Sequence, residues 1–160
     1  MSDTEKVKDR EEQIAEEVGN AMLATDVVAN VLGMKLDEIK PGFARVTMPV
    51  RADMLNSHST CHGGMTFTLA DTAFAYACNS RNEKTVALAC NITFALAVYE
   101  GDTLTATAEE EVLNGRTGLY NVVVTNSRGD KVAFFRGNSY KTSHHVVSKL
   151  PKPAKGGLNP

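Results

Sequence analysis

Residues 62–71 read His62-Gly63-Gly64-Met65-Thr66-Phe67-Thr68-Leu69-Ala70-Asp71, and this segment sets the architecture of the chain. Two adjacent glycines open an apolar segment of helical pattern, which continues to Cys78 and contains Asp71 as its only residue charged at pH 7. On a helix with 3.6 residues per turn, Asp71 shares a row with Phe67, Phe74 and Cys78, so its carboxylate leaves an apolar face. Burying such a charge is costly unless it has a partner or a chemical task.

Asp71 is therefore the first candidate catalytic residue. The alternative is a structural aspartate that caps a loop or pairs with an arginine brought from elsewhere in the fold. The catalytic hypothesis is favoured because Gly63 and Gly64, together with Asn56 in the polar run before them, stand at the predicted start of the same helix. The first N–H groups of a helix have no internal partners, and glycine allows a carbonyl oxygen to approach closely. This pattern indicates an oxyanion-type site, although two glycines alone are also ordinary loop chemistry.

Hydrophobic periodicity predicts an α+β domain in which one antiparallel sheet is wrapped around the central helix. Thr66, Ala70, Ala73 and Ala77 form a stripe of small side chains on which a curved sheet fits closely. Residues 21–32 are predicted to form an earlier helix that ends at Gly33. Val27, Val28 and Val31 are expected to belong to the face that it turns to the core. The predicted strands are residues 34–39, 44–50, 85–94, 102–113, 119–125 and 131–141, with Pro41-Gly42, Asn114-Gly115 and Arg128-Gly129-Asp130 as turns.

Three regions are expected along the chain. Residues 1–20 are a polar N-terminal extension that is partly helical, residues 21–142 are the folded domain, and residues 143–160 are a flexible C-terminal tail. His144 and His145 stand at the start of this tail, where we expect them to be solvated. A length of 160 residues, with 42% hydrophobic and 22% charged residues, favours one domain with its own core.

Composition argues against several classes of partner. A net charge of −2 with scattered lysines and arginines gives no basic footprint for nucleic acid. No apolar run has the length of a membrane span, and the charged start of the chain is unlike a signal peptide, so a cytoplasmic location is expected. The three cysteines, without CxxC spacing, are expected to be reduced thiols.

Two other kinds of site are conceivable at the same loop. Cys61 beside His62 has the composition of a nucleophile and a base, but buried or loop-lining thiols are the commoner arrangement. His58, Cys61 and His62 contain metal-ligating groups, but the glycines that follow do not provide a helical ligand face. We therefore expect no metal site at this loop.

A family resemblance is carried by Met54-Leu55-Asn56, Cys61-His62-Gly63-Gly64, Leu69 to Asn79 and Gly101-Asp102-Thr103-Leu104. From about Met22 to about Lys141 the sequence closely resembles the hotdog-fold thioesterases of the phenylacetic-acid pathway, the PaaI type. The resemblance implies a hotdog fold and cofactor-free hydrolysis of acyl-CoA thioesters. It also implies dimers that pair into tetramers. The acyl group is expected to be of the phenylacetyl or hydroxyphenylacetyl type.

The spacing of Gly63 and Asp71 predicts that the site needs two subunits. Eight residues of continuous helix rise by about 12 Å. A carbonyl oxygen bound to the Gly63 N–H, and a carbon attacked by Asp71 or its water, require the two groups to lie within roughly 7 Å. Gly63 of one subunit should therefore face Asp71 of another, with two equivalent sites in a symmetric dimer.

The predicted mechanism uses the Gly63 N–H to polarise the thioester carbonyl. Asp71 is either a general base for water or a nucleophile that forms an anhydride. By resemblance, Asn56 helps to place water or the carbonyl, with turn capping as its alternative. His62 supports the loop through hydrogen bonds, with proton transfer as its alternative. Some wider relatives carry a serine on the strand after the central helix, but here residues 86–89 read Val-Ala-Leu-Ala, so the second water-holding group is unidentified.

Recognition of coenzyme A is expected to use cations near the rim of the site. Arg116 and Lys141 are the candidates, because related enzymes use the corresponding turn and strand for the nucleotide. Met65, Phe67, Phe74 and Phe94 are candidates for an aryl or aliphatic acyl pocket. Two other functions remain open: a hydratase or dehydratase, which requires a His–acid pair, and a non-catalytic acyl-CoA-binding module, which has no reason to bury Asp71.

Overall fold

The structure, a computed structural model, describes residues 3–150. Its helices are α1 (Asp3–Thr25), the short α2 (Val27–Val31) and the central α3 (Gly63–Asn79), with one 3₁₀ turn at Ala52–Met54. Within residues 3–150 no helix combines the length and apolarity needed to cross a membrane.

Within the described range, six antiparallel strands form one sheet in the order β1-β2-β4-β5-β6-β3. Their bounds are β1 (Lys35–Lys40), β2 (Phe43–Pro49), β3 (Glu83–Phe94), β4 (Thr103–Asn114), β5 (Thr117–Thr125) and β6 (Lys131–His145). The strand that follows α3 in the chain therefore lies at the far edge of the sheet, beside β6. Gly42 and Gly115 occupy the β1–β2 and β4–β5 turns with φ of 76° and 59°, a backbone region in which glycine avoids the Cβ clash.

The sheet curves around α3 because that helix presents small side chains to it. Thr66, Ala70, Ala73 and Ala77 are all buried, as the predicted stripe requires. The predicted α+β hotdog architecture, with an antiparallel sheet around a central helix, is confirmed. One further close approach comes from the sheet, where Gly137 of β6 lies under the ring of Phe74.

A partly buried ion pair fixes the C-terminal end of α3 to the sheet. Arg81, just beyond the helix, donates from Nη1 to Glu110 Oε2 at 2.6 Å and from Nη2 to Glu110 Oε1 at 3.1 Å. The Tyr120 hydroxyl donates to the same carboxylate at 2.7 Å. Because both charges are partly buried and satisfied, this network holds the helix at one position on the sheet.

The structure corrects the predicted helix of residues 21–32. The chain breaks at Asp26, whose Oδ1 accepts a hydrogen bond from Ala29 N at 2.9 Å and so caps a separate helix, α2. Val27, Val28 and Val31 consequently point to solvent, with exposures of 72%, 53% and 67%, and the expectation that they face the core is wrong.

Two other local expectations differ from the structure. The last strand ends at His145 rather than Lys141, and His145 Nδ1 lies 3.0 Å from Asn82 O, so this imidazole contacts the fold. Phe74 and Cys78 share the predicted helix row with Asp71 but lie in the core, where Phe74 packs edge-on against Tyr120, whereas Asp71 is only partly buried. Residues 1–2 and 151–160 of the predicted terminal regions lie outside the described residues.

The contact between Gly137 and Phe74 gives a prediction for stability. A Cβ at position 137 would lie 2.8 Å from Phe74 Cζ, so Gly137→Ala should destabilise the fold by about 1–3 kcal/mol through overpacking. Urea unfolding measures this change, and Asn138→Ala on the exposed neighbour is the control. Adding Phe74→Leu should recover part of the loss caused by Gly137→Ala. Purely additive effects would show that the ring does not set the limit at position 137.

Candidate active site

The polar loop before α3 is organised by the side chain of Asn56. Its Oδ1 accepts hydrogen bonds from the backbone N–H of His58 at 2.9 Å and of Thr60 at 3.3 Å, and its Nδ2 donates to Thr60 Oγ1 at 3.0 Å. With these bonds Asn56 caps the turn, which is the alternative to its predicted role of placing water or the carbonyl. Asn56 also borders the cleft beside Gly63, so the turn fixes its side chain at the edge of that space.

His62 is the N-cap of α3. Its backbone is extended, with φ −60° and ψ 130°, and its Nδ1 accepts a hydrogen bond from Gly64 N at 2.9 Å. This bond satisfies one of the free donors at the start of the helix and fixes the direction in which the helix begins. The expected support of the loop by His62 therefore has a defined geometry, in which the ring acts as a hydrogen-bond acceptor.

The Gly63 N–H is left free by this cap. Gly64 N bonds to His62 and Met65 N bonds to His62 O, whereas Gly63 N donates to no other residue in the range 3–150. Gly63 is the first residue of a 17-residue helix, so its free N–H group lies at the positive end of the helix dipole. The group predicted to polarise a carbonyl is thus available.

A cleft of about 340 Å³ opens beside Gly63. The ring of Phe94 forms one wall and lies so close that a Cβ at position 63 would be 2.9 Å from Phe94 Cζ. Among the described residues, the polar side chains that line the cleft are those of Asn56, Thr60 and Thr66, and none of them is charged. The rest of the lining is apolar and comes from Cys61, Ala95, Leu96, Ala97, Val98 and Val132. Of the four side chains predicted for an acyl pocket, Phe94 is the one that lines it.

Met65, Phe67 and Phe74, the other predicted pocket residues, pack against the core. The Phe67 ring contacts Phe135 at a centroid distance of 5.4 Å. The sequence pattern could not separate these roles, because core and pocket residues on one apolar helix have the same composition. Residues from several other segments also line the cleft, among them Thr60, Leu96, Val98 and Val132. No local sequence motif identifies these residues as part of one site.

Asp71 lies two turns along α3, partly buried and facing the edge strand β3. Burial raises the pKa of its carboxyl above that of an exposed aspartate, and the nearby Cys90 thiol opposes this change. None of the ion pairs formed within residues 3–150 includes Asp71. The structural alternative, an arginine partner, is therefore not found within this part of the chain.

One subunit does not bring Gly63 and Asp71 together. They lie on the single unbroken helix α3, so the axial rise between them is about 12 Å. Asp71 also does not line the cleft that contains Gly63 and Asn56. Within residues 3–150, the free Gly63 N–H therefore lies beside the cleft, whereas the Asp71 carboxylate, which has no ion-pair partner in that range, lies away from it.

Cys61 is unsuited to the role of nucleophile. The thiol is buried, burial raises its pKa, and its Sγ lies 3.9 Å from Thr66 Oγ1. A nucleophilic cysteine requires surroundings that lower the pKa, which are the opposite of these. No group of three or more His, Cys, Asp or Glu side chains in the described range has a geometry that could hold a metal ion.

The two predicted nucleotide contacts are neighbours at one end of β5, β6 and β3. Lys141 N donates to Arg116 O at 2.7 Å across the β5–β6 pair. Arg116 is exposed, with Nη1 donating to the Tyr140 hydroxyl at 3.3 Å. Lys141 is largely buried and ion-paired with Glu83, so its ammonium is already engaged within the chain.

Comparisons with known proteins agree with this architecture. Residues 58–133 match the thioesterase superfamily. The chain is 48% identical over 130 residues to the acyl-coenzyme A thioesterase PaaI of Escherichia coli K12, covering 81% of this chain and 93% of that protein.

Solved structures give the same result. The E. coli PaaI structure, from the phenylacetic acid degradation operon, superposes with a TM-score of 0.83 at 45% identity, covering 84% of this chain and 97% of that one. The TT0310 protein of Thermus thermophilus gives a TM-score of 0.69 at 40% identity, covering 72% and 97%. A Streptococcus mutans protein solved with bound acetyl-CoA gives 0.67 at 26% identity, covering 70% and 90%.

These similarities confirm the resemblance inferred from the glycine and aspartate motifs, and with it the predicted class of enzyme. The family match, over residues 58–133, covers Gly63 and Asp71 in the central helix and all of β3, β4 and β5. The chain therefore belongs to the thioesterase superfamily, as a hotdog-fold thioester hydrolase of the PaaI type.

Proposed function

We propose that this protein hydrolyses aryl-acyl-CoA thioesters to the free acid and coenzyme A, at a site shared by two subunits. Gly63 of one subunit polarises the thioester carbonyl, and Asp71 of the partner subunit activates the attack. The observation that carries the proposal is a pair of groups on α3, about 12 Å apart along one helix. They are the Gly63 N–H, which donates to no residue in the range 3–150, and the partly buried Asp71 carboxylate, which forms no ion pair in that range. Acyl-CoA is the substrate class named for the E. coli relative, and the S. mutans relative holds acetyl-CoA.

The first step binds the carbonyl oxygen of the thioester to the Gly63 N–H. As the carbon becomes tetrahedral, negative charge develops on this oxygen, and the N–H and the helix dipole stabilise it. The donor is preorganised, because the His62 cap fixes the start of α3 before substrate binds. Phe94 limits the space around Gly63, so the carbonyl approaches along the cleft.

In the second step the carboxylate of the partner's Asp71 accepts a proton from a water molecule, which attacks the carbonyl carbon. The tetrahedral intermediate then expels the coenzyme A thiolate, and the proton held by Asp71 passes to the departing sulfur. A raised pKa makes Asp71 a stronger base than an exposed aspartate. Direct attack by the carboxylate through an anhydride is the alternative chemistry, and incorporation of ¹⁸O into Asp71 during a single turnover distinguishes it.

The edge strand β3 supports a dimer as the catalytic unit. β3 pairs with β6 on one side, and none of the described strands pairs with its other side. Large apolar side chains of β3 are exposed, among them Leu88 at 60% and Phe94 at 53%. A long exposed apolar edge is a template for pairing with another strand, and a second copy of β3 supplies one. A dimer of such dimers is the oligomer we expect.

The cleft beside Gly63 supports an uncharged acyl group. No charged side chain of the described residues lines it, so a carboxylated acyl group would lose its solvation there without compensation. A dry cavity of about 150 Å³ is enough for a benzene ring. The larger volume of this cleft therefore accommodates a phenylacetyl or hydroxyphenylacetyl group, with Phe94 available for an edge or stacking contact.

The two alternative functions have weaker support. A hydratase or dehydratase needs a His–acid pair, but His62 Nδ1 is occupied by Gly64 N and no acidic side chain bonds to this ring within residues 3–150. A non-catalytic acyl-CoA-binding module has no use for the partly buried carboxylate of Asp71. Release of free thiol from acyl-CoA separates hydrolysis from both alternatives.

Replacement of the proposed base tests the chemistry. Asp71→Asn should lower thioester turnover by at least about a hundredfold while leaving acyl-CoA binding within severalfold, because the amide keeps the shape but takes no proton. In the wild type, kcat/KM should fall as the pH drops through the raised pKa of Asp71, because protonation removes the base. Thiol release over a range of pH measures both effects. Near-normal turnover by the Asn variant would eliminate Asp71 as the base.

Subunit mixing tests the shared site. Gly63→Pro removes the donor, and the extended backbone of His62 is compatible with a following proline. Each single variant should be inactive by itself. Random exchange of Gly63→Pro with Asp71→Asn subunits makes half of the dimers mixed, each with one intact site of two, so about a quarter of wild-type activity should return.

The mixing experiment has two controls. Circular dichroism establishes that Gly63→Pro folds although its ring must displace Phe94, and native mass spectrometry establishes that subunits have exchanged. With both established, a mixture without activity would mean that Gly63 and Asp71 act within one chain.

Coenzyme A recognition is tested at the β4–β5 turn. Arg116→Ala should raise KM for acyl-CoA several-fold with little change in kcat, and should not affect a pantetheine thioester, which lacks the nucleotide phosphates. Arg128→Ala, in the exposed β5–β6 turn, is the matched control. Lys141→Ala should show the same selectivity if this ammonium leaves Glu83 for a phosphate. Equal effects on both substrates would assign Arg116 or Lys141 a structural role instead.

A further inference from the structure

The thiol of Cys90 stands beside the carboxylate of Asp71. Cys90 Sγ donates a hydrogen bond to Asp71 Oδ1 at 3.9 Å, the only side-chain hydrogen bond that Asp71 makes within residues 3–150. Neither the sequence motifs nor the proposed mechanism assigns a role to this cysteine.

A β-bulge in β3 is what directs Cys90 toward the helix. Ala87 pairs with Ser139 and Ala89 pairs with Asn138, so Leu88 is an extra residue between them. Side chains along a strand alternate between its two faces, so strict alternation from the buried Thr85 would direct residue 89 toward α3. The extra residue shifts this alternation by one position, and Cys90 is directed toward α3 instead. Cys90 then lies opposite Gly137, the residue beneath the Phe74 ring, and is less exposed than its neighbours in the strand. Bulges of this kind re-aim side chains next to active sites.

From this geometry we propose that Cys90 is a positioning residue for the proposed reaction, in which its S–H group orients the Asp71 carboxylate and favours its ionised form. The inference depends on the proposed role of Asp71. It also addresses a gap in the sequence, since Val86-Ala87-Leu88-Ala89 offers no hydroxyl group beside the carboxylate.

The electrostatics of the pair agree with a thiol donor. Burial and the Asp71 charge raise the pKa of Cys90 to about 11, so the sulfur keeps its proton at neutral pH. A protonated thiol that donates to a carboxylate stabilises the charged form and lowers the pKa of that carboxyl. The other titratable group near Asp71 is Cys78, two helical turns further along α3, and burial raises its pKa to about 12, so it is neutral as well.

The test compares Cys90→Ala, Cys90→Ser and the control Cys78→Ala over the pH range of thioester hydrolysis. Cys90→Ala should lower kcat about fivefold with KM nearly unchanged, because a carboxylate that the thiol no longer orients is less often in the position from which it activates water. Its acid limb should move to higher pH, because the ionised form of Asp71 has lost its donor. Cys90→Ser keeps a donor and should restore both the rate and the position of the limb. Cys78→Ala removes a buried thiol that makes no hydrogen bond to Asp71 and should leave the limb in place.

Three outcomes separate the possible failures. If the wild type releases no thiol from acyl-CoA, or if Asp71→Asn is fully active, the proposed function fails. If Asp71 is essential but the Cys90→Ala limb does not move, or if Cys90→Ser behaves like Cys90→Ala, the positioning role is overturned. If Cys78→Ala shifts the limb as far as Cys90→Ala does, packing around α3 and not the hydrogen bond sets the pKa of Asp71, which also overturns the inference.

Discussion

Helix α3 is unbroken, and the sheet that encloses it approaches it closely; the geometry of the candidate site follows from these two facts. The sheet can approach because Thr66, Ala70, Ala73 and Ala77, which it buries, have small side chains. The Arg81–Glu110 ion pair fixes the C-terminal end of the helix. A helix held in this way cannot bend to bring its N-terminus to a residue two turns away. The free N–H and the carboxylate therefore stay apart within one chain, and in the proposed mechanism a second subunit unites them.

The two ends of this arrangement have opposite electrostatic surroundings. At Gly63, the helix dipole and a free amide favour negative charge, which suits an oxygen that gains charge during the reaction. At Asp71, burial disfavours the charged carboxylate and raises its pKa, which suits a group that accepts a proton. The positions of the two groups on one helix thus separate the proposed roles of oxyanion donor and base.

Strand β3 connects the fold to the proposed chemistry in three ways. Its far-edge position leaves one side open to a second copy, its bulge turns Cys90 toward Asp71, and its last residue, Phe94, closes the cleft over Gly63. All three follow from the pairing of β3 with β6. A sheet that placed β3 between β2 and β4 would pair both of its edges and remove the exposed surface.

Local signals in the amino-acid sequence were sufficient to predict the helices and strands, with the exception of the break at Asp26, and the motif that contains Gly63 and Asp71. The contacts between these elements could be determined only from the folded chain. Periods of 3.6 and 2 residues, together with the turn residues, predicted α3 and all six strands to within a few residues, and helical rise alone predicted that Gly63 and Asp71 are separated. Local signals failed at Asp26, where a side-chain cap ended α1 early and left Val27 in solvent. The strand order depends on pairing between strands distant in the chain, and no single segment encodes it. For the same reason the sequence did not distinguish the core residue Phe67 from the cleft residue Phe94, or indicate that Cys90 contacts Asp71. A sequence pattern records which face a residue occupies along its own element, whereas contacts between elements depend on register, bulges and packing.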